Sequence, residues 1–379
     1  MENSIFPLEI YQLIFSHFYD SRDIKRVYLV CKIFCNNVRS WIKILIINPH
    51  HKITNNSLLK YQNFTTLGLR YNKTITSHIV NKLNGLTSLD LYKNCRITDC
   101  GIKSLATLKY LNLQMNTIIT DYGIKDLTNI ISLNLGNNCK ITNIGIAKLT
   151  NLTFLNLKEN NKIYDIDIRD LTHLTSLNLY KNDRIGNIDN LINLTDLDLT
   201  SSNGRISTKK LTNLVSLNLS KNAILLSLPI NLTYLDLSKC YNGVIRDNSI
   251  KMLFNLKILN LENNKSITNN GIYYLINLTS LNVISNKNIT NDGISHLTNL
   301  TDLKFSVNNK IRSDEYSFIY SKITDLNALA DERLNNKITI QGINSLTNLR
   351  TIDIYENFYN KNVKIKGQEL KHLTRLTNI

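Results

Sequence analysis

The sequence predicts an α/β solenoid: a right-handed stack of strand–turn–helix units with a parallel sheet along its concave side, preceded by a small helical head. Three observations predict it. A 22-residue period opens at Ile42 and repeats without a slip at Phe64, Leu86, Leu108, Ile130, Leu152 and Leu174. Within each period the apolar spacing is that of a short strand followed by one or two helical turns. Upstream of Ile42 the period vanishes and helical spacing takes its place. A unit this short cannot bury its apolar face alone, so stacked neighbours must supply a continuous core. The expected divisions are therefore a head over 1–41 and a repeat body over 42–379, with about fourteen repeats, irregular at 174–255 and 312–348.

In the head, Pro7 suits a first helical turn, and Ile10, Leu13, Ile14 and Phe18 then share a face. Ser21 and Asp23 mark a second start, followed by a stripe of Ile24, Val27, Cys31 and Phe34. Trp41 closes the segment and the first repeat follows directly, with no linker.

Positions in a repeat are counted from its first apolar residue as zero. Apolar residues recur at positions three and five, as in Leu108, Leu111 and Leu113, and alternate around a polar residue as in a strand. Position eight is Asn in most units, among them Asn72, Asn94, Asn116, Asn138, Asn160, Asn182, Asn222, Asn264 and Asn286. An asparagine carries donors and an acceptor, so at a tight turn it can satisfy backbone groups that the bend leaves unpaired. The recurrence reads as a structural ladder. Next comes Ile-Thr-Asp-x-Gly-Ile-x-x-Leu, as at Ile97 to Leu105, where Thr and Asp start a short helix behind the sheet.

The array is not uniform. Units from Leu174, Leu194, Leu214 and Leu232 have spacings of 20, 20, 18 and 24 and lose the Gly-Ile helix signal. Regularity returns at Leu256, Leu278 and Leu300. The stretch Arg312 to Asn348 reads as holding a degenerate unit near Ile323 to Leu346, before a last full unit at Leu349. No polar capping element is visible after it, although terminal repeats normally need one.

The pattern L-x-x-L-x-L-x-x-N resembles the leucine-rich repeat, and the trailing I-T-D-x-G-I resembles the subtype found in F-box leucine-rich-repeat proteins. That subtype often has Cys where this chain mostly has Asn, and Cys240 occupies the position here. The family unit is usually longer, so this chain carries a compressed version. The head resembles the F-box itself: Phe6-Pro7-Leu8-Glu9-Ile10, Ile14-Phe15-Ser16-His17-Phe18, Asp23-Ile24 and Val30-Cys31-Lys32-Ile33-Phe34 follow its order. Phe6 stands for the usual Leu and Phe34 for the usual Trp, both keeping apolar bulk. The resemblance implies that Pro7, Ile10, Ile14, Phe15, Ile24, Val30 and Cys31 bind a Skp-type adaptor of a cullin ubiquitin ligase. It implies that the horseshoe holds an unidentified protein substrate for ubiquitination. The alternative is a non-ligase interaction scaffold or decoy whose N-terminal helices only cap the solenoid.

Composition bounds the remaining classes. The net charge of +16, from 45 Lys and Arg against 29 Asp and Glu, could suggest nucleic acid, but the lysines scatter over nearly every repeat and no basic–aromatic module accompanies them. Six cysteines without a C-x-x-C pair favour a reducing compartment. With neither a basic–apolar leader nor a membrane-length apolar stretch, the expected location is the cytoplasm. Heavy use of Asn, Ile, Lys and Tyr permits a virus or parasite acting in a host cytoplasm. Neither a metal-ligand spacing nor a phosphate-cradling glycine loop is visible, and His50-His51 reads as a turn, so no enzyme, metal or cofactor is expected.

Partner contact should fall on the outward strand positions and the turn beyond them. Position four is mostly Asp or Asn, a monotonous floor. Position six varies more, with Arg70, Tyr92, Lys158 and Tyr180 as candidate anchors. Past the turn lies a basic edge that includes Arg96, Lys140, Lys162 and Arg184 and would favour an acidic or phosphorylated partner.

Overall fold

The computed structural model describes residues 43–47, 53–59, 63–202, 206–222, 228–240, 243–307, 338, 342–343, 345–356 and 362–366. The adaptor-binding residues expected at Pro7, Ile10, Ile14, Phe15, Ile24, Val30 and Cys31 lie outside them. The chain divides into two compact units, Met1–Asn178 and Leu179–Ile379.

The first unit carries β1 (Ile44–Ile46), β2 (Thr66–Gly68), β3 (Ser88–Asp90), β4 (Tyr110–Asn112), β5 (Ser132–Asn134), β6 (Phe154–Asn156) and β7 (Ser176–Asn178). Each pairs in parallel with the next. Every register steps by one repeat, from Leu45 opposite Leu67 to Leu155 opposite Leu177. The leucine pattern explains this. Leu86, Leu89 and Leu91, with Ile97, Ile102 and Leu105 behind them, are no more than 1% exposed. Each contributes roughly 1.5–3 kcal/mol by leaving water, and a slip of one residue would turn the strand leucines outward.

Behind the strands run α1 (Asn55–Leu58), α2 (Ser77–Val80), α3 (Asp99–Ile102), α4 (Asp121–Ile124), α5 (Asn143–Ile146) and α6 (Asp165–Ile168). Single turns of helix are not stable alone. They are held by caps and by their neighbours. The Thr120 hydroxyl accepts the Tyr122 N–H at 3.3 Å. The Thr120 N–H and hydroxyl in turn donate to the Asp99 carboxylate of the preceding repeat at 2.8 and 2.6 Å. Asp121 receives Thr142 in the same way, at 2.8 and 2.6 Å. Gly123 makes room for this link: a Cβ there would lie 2.5 Å from the Asp99 Oδ1.

The Asn ladder has the role the turn argument assigns it. Asn94, 1% exposed, donates from Nδ2 to the carbonyls of Leu69 and Asn72 at 2.8 and 3.2 Å. Its Oδ1 accepts the amides of Arg96 and Ile97, both at 2.9 Å. Asn116 and Asn138 repeat the four bonds. The residue before each ladder Asn bends the chain. Tyr71, Lys93, Met115, Asn137 and Glu159 have φ of 49–54°, in the left-handed region that non-glycine residues seldom occupy.

The second unit carries β8 (Asp196–Asp198), β9 (Ser216–Asn218), β10 (Tyr234–Asp236), β11 (Ile258–Asn260), β12 (Ser280–Val283), β13 (Asp302–Val307), β14 (Thr351–Glu356) and β15 (Asn362–Lys366). The irregular spacings survive as parallel registers: Leu197 faces Leu217, Leu217 faces Leu235 and Leu235 faces Leu259. Helices α7 (Asp247–Ile250), α8 (Asn269–Ile272) and α9 (Asn291–Ile294) lie behind.

Three expectations need correction here. First, losing the Gly-Ile signal does not cost the unit from Leu232 its helix: α7 forms over Asp247–Ile250 with Ser249 in the position that Gly takes in α3, α4, α5, α8 and α9. Ile250 is fully buried, so packing holds the turn without the glycine. Second, the degenerate unit near Ile323 to Leu346 adds no rung, because β13 pairs directly with β14, Leu303 opposite Ile352. That step is 49 residues instead of 22. Ile338, Ile343 and Leu346 are buried where Ile289, Ile294 and Leu297 sit one rung earlier. Residues 308–337, which hold most of the expected unit, lie outside the described residues. Third, the final pairing is not parallel. β15 returns antiparallel along β14, with Ile365 opposite Ile352, on a stretch whose Val363 and Ile365 alternate with polar residues.

Candidate partner-binding face

The outward side of the sheet begins at positions two and four. The position-four oxygens are largely committed to the fold. The Asp90 Oδ1 accepts the Tyr92 amide and the Asn112 Nδ2, both at 3.0 Å. Asn112, Asn156 and Asn218 accept the amides two residues on at 3.0, 2.9 and 3.0 Å. Short polar residues recur here because each closes a turn on its own backbone, so this floor offers few free groups.

The variable groups lie just beyond, at positions six and seven. In the first unit Arg70, Tyr71, Tyr92 and Lys93 form one cluster. The Tyr71 and Tyr92 rings meet edge to face with centroids 5.3 Å apart. The Arg70 guanidinium stands 5.8 Å from the Tyr92 ring, and the Lys93 ammonium lies 5.7 and 5.6 Å from Tyr71 and Tyr92. Arg70 also pairs with Asp90. The Tyr92 hydroxyl reaches the Met115 sulfur at 3.6 Å. The left-handed bend at Tyr71 and Lys93 brings position seven alongside position six. The hydrogen bond from Tyr71 holds the Tyr92 phenol below the usual tyrosine range, with Lys93 and Arg70 acting the same way. The same bond is the first cause that pushes Tyr71 up.

Of the predicted residues, then, Arg70 and Tyr92 come together. Lys158 is half-buried at position six of its own repeat. Arg96, Lys140 and Lys162 are exposed and make no ion pair with any described residue. Their backbone amides donate to the ladder residues Asn94, Asn138 and Asn160 at 2.9 Å, so the basic edge hangs from the ladder turn. Tyr180 and Arg184 belong to the second unit, where Lys181 lies 5.3 Å from the Tyr180 ring and Arg184 is exposed. Tyr71 and Lys93 were not anticipated. The strand alternation used to choose outward residues ends at the turn. The available signal was the recurrence of Tyr-Lys-Asn at Tyr92-Lys93-Asn94 and Tyr180-Lys181-Asn182.

In the second unit the floor is more acidic. Tyr234 is half-buried there, and burial first, then Asp236, Asp198 and Asp196, pushes its phenol up. Among the described residues no group of three or more His, Cys, Asp or Glu is placed to hold a metal ion, and no helix is long and apolar enough to cross a membrane. Cys95, Cys100, Cys139 and Cys240 are free thiols.

A leucine-rich-repeat family model matches residues 84–106, 105–127 and 253–276. No curated protein matches the chain significantly. Among solved structures, an internalin (InlF) of Listeria monocytogenes is similar at 23% identity and a TM-score of 0.57, over 92% of this chain and 98% of that one. A leucine-rich-repeat protein of Leptospira interrogans is similar at 23% identity and a TM-score of 0.58, over 86% and 88%. The Drosophila Toll–Spätzle complex is similar at 18% identity and a TM-score of 0.53, over 88% of this chain and 48% of that one. The chain thus carries leucine-rich repeats and has the fold of a leucine-rich-repeat solenoid.

Proposed function

We propose that this chain is a protein-binding repeat scaffold that grips its partner on the outward sheet face, and that it recruits that partner to a cullin ubiquitin ligase through an F-box head. The observation that carries the first half is the Arg70–Tyr71–Tyr92–Lys93 cluster. Tyrosine and arginine are the residue types that most often anchor interfaces, and here four large side chains are held against one another on a floor of committed polar groups. Two cations and the basic edge beyond them favour an acidic or phosphorylated protein surface. The Toll repeats, which share the fold, were solved in a complex with a protein.

The second half rests on the resemblance of residues 1–41 to the F-box, with the repeat body over 42–379. Pro7, Ile10, Ile14, Phe15, Ile24, Val30 and Cys31 would dock a Skp-type adaptor. The free thiols support a reducing, cytoplasmic setting. Catalysis has no part in this reading; the chain holds a substrate while another subunit modifies it.

Two measurements test it. Co-purification with a Skp-type adaptor should be lost when Pro7→Ala and Ile14→Ala are combined; unchanged recovery, or none from the intact chain, leaves only a scaffold or decoy. Proximity labelling should identify a partner whose capture falls about 30-fold in the Arg70→Ala/Tyr92→Ala chain, the roughly 2 kcal/mol of an anchor residue. Capture unaffected by that pair would remove the cluster from the interface.

A further inference from the structure

A second surface of the second unit departs from the pattern of the repeat. Position minus two, just before each strand, is Asn84, Ala106, Thr128, Thr150 and Thr172 in the first unit. In the second unit it is Ile192, Thr212, Ile230, Phe254, Ile276, Thr298 and Thr347. The four apolar residues are 46–69% exposed. Met252 and Tyr274, two residues earlier in their repeats, are also exposed. The fold does not require this, because the same backbone device runs along both units. The asparagine at position minus one donates from Nδ2 to the preceding repeat's position minus two, as Asn129 does to the Ala106 carbonyl at 2.8 Å. Asn277 and Asn299 bond the Phe254 and Ile276 carbonyls in the same manner at 2.8 and 2.9 Å. The apolar side chains are thus presented from a fixed backbone.

Beside them runs a groove of about 540 Å³, lined by Asn255, Asn277, Asn299 and Asn348 together with Lys257 and Arg350. Neither cation makes an ion pair among the described residues. They sit on the rungs of β11 and β14, three strand steps or roughly 14 Å apart. From position minus five to one, the six repeats starting at Leu214, Leu232, Leu256, Leu278, Leu300 and Leu349 contain no Asp or Glu, but they hold Lys209, Lys210, Lys251, Lys257 and Arg350. Asp302, one position further on, accepts the hydroxyls of Thr301, at 2.7 Å, and Thr351.

We propose that this edge docks a short acidic peptide segment in extended form. Two carboxylates about four residues apart would meet Lys257 and Arg350, since an extended chain spans roughly 14 Å in that distance. The apolar side chains between them would lie against Phe254 and Ile276. Desolvated beside an apolar ridge, the carboxylate contacts strengthen. A flat anionic bilayer fits less well, because Lys257 and Arg350 line a groove walled by amides and hydroxyls rather than standing on the apolar ridge.

The test is fluorescence anisotropy on the intact chain with a dye-labelled, end-blocked peptide, Glu-Phe-Leu-Phe-Glu, and its Gln-for-Glu counterpart. The acidic peptide should bind saturably, weaken with salt, and exceed the Gln peptide at least tenfold. Lys257→Glu with Arg350→Glu should cost at least tenfold. So should Phe254→Thr with Ile276→Thr, which installs the residue other repeats carry there and so preserves the fold. Arg70→Ala with Tyr92→Ala should change nothing. The proposal is overturned by absence of saturable binding, by either edge variant binding the acidic peptide as tightly as the unmutated chain, or by phosphatidylserine vesicles showing this loss pattern while the peptide does not bind.

Discussion

Replacing Asn116 with alanine isolates the ladder's contribution to stability. Asn116 is fully buried. Its Nδ2 donates to the carbonyls of Leu91 and Asn94 at 3.3 and 2.9 Å, and its Oδ1 accepts the amides of Ile118 and Ile119 at 3.0 and 2.9 Å. Truncation leaves the Ile118 and Ile119 amides and the Asn94 carbonyl without these partners; the Leu91 carbonyl keeps the Asn94 amide at 3.0 Å. An unsatisfied buried group costs about 1–3 kcal/mol, and water entering the vacated space offsets part of that, so the expected loss is roughly 3–5 kcal/mol. Serine should cost about half as much. A serine can still reach the preceding repeat: Ser202 occupies the ladder position of its own rung, and its Oγ donates to the Asn182 carbonyl at 2.8 Å. Urea unfolding followed by circular dichroism gives the ranking, with exposed Thr117→Ala as the control. Hydrogen exchange at Ile118 and Ile119 localises the effect, since stacked repeats can unfold in parts. An Asn116→Ala loss no greater than that of the Thr117 control would refute the reasoning.

Further expectations follow from the same contacts. Gly123→Ala should destabilise by about 1–3 kcal/mol although alanine ordinarily favours a helix, because its Cβ would lie 2.5 Å from the Asp99 Oδ1. Adding Asp99→Ser, the arrangement that Ser77 and Gly101 already use, should recover most of the loss in a double-mutant cycle, and strict additivity would sink the idea. Met115, with φ of 54°, should tolerate Gly with little change or a small gain, whereas Val there should cost about 1–2 kcal/mol; the opposite order in thermal melts would contradict the backbone argument. Burial pushes the Cys240 thiol up to about 11. The folded chain therefore keeps this proton where the unfolded chain loses it. The contribution is intact below the ordinary thiol value of 9.0 and is lost as pH rises through about 11, a fall of roughly 2–3 kcal/mol. Cys240→Asn, the residue other rungs use, should remove that fall. At pH 8 iodoacetamide should modify Cys95, Cys100 and Cys139 before Cys240.

Most of the fold was legible because burial is periodic. The leucines at positions zero, three and five announce the strand, and their spacing fixes the register, even where the steps shorten to 20 and 18. The ladder asparagines were legible for the same reason. What escaped was carried by bonds between repeats. The Asp99–Thr120 link joins residues 21 apart, and nothing in the local sequence distinguishes it from a helix-starting aspartate. The expected extra rung near Ile323 to Leu346 is absent between β13 and β14: Ile338, Ile343 and Leu346 carry a helical-side pattern, and an apolar spacing alone cannot say which strand it belongs to. Within the candidate face, Arg70 and Tyr92 follow from strand alternation. Tyr71 and Lys93 do not, because a left-handed bend sets their direction and no glycine marks it.

This division suggests where specificity can reside in a chain whose repeats are nearly identical. Positions zero, three and five are fixed by the core, eight by the ladder, four by its turn and minus one by the carbonyl it bonds. Substitution at any of these disturbs a neighbour as well as its own repeat. Positions six, seven and minus two mostly escape those demands, since their backbone is held by other residues and most of their side chains are exposed or half-buried, with Thr200 and Ser238 at position six the buried exceptions. They can vary without loss of fold, and they are where recurrence breaks: aromatic and basic residues at Arg70, Tyr71, Tyr92 and Lys93, and large apolar ones at Ile230, Phe254 and Ile276. Recognition should therefore be transferable. Exchanging only positions six and seven between two repeats should move partner preference without moving stability, whereas exchanging position four or eight should do the reverse.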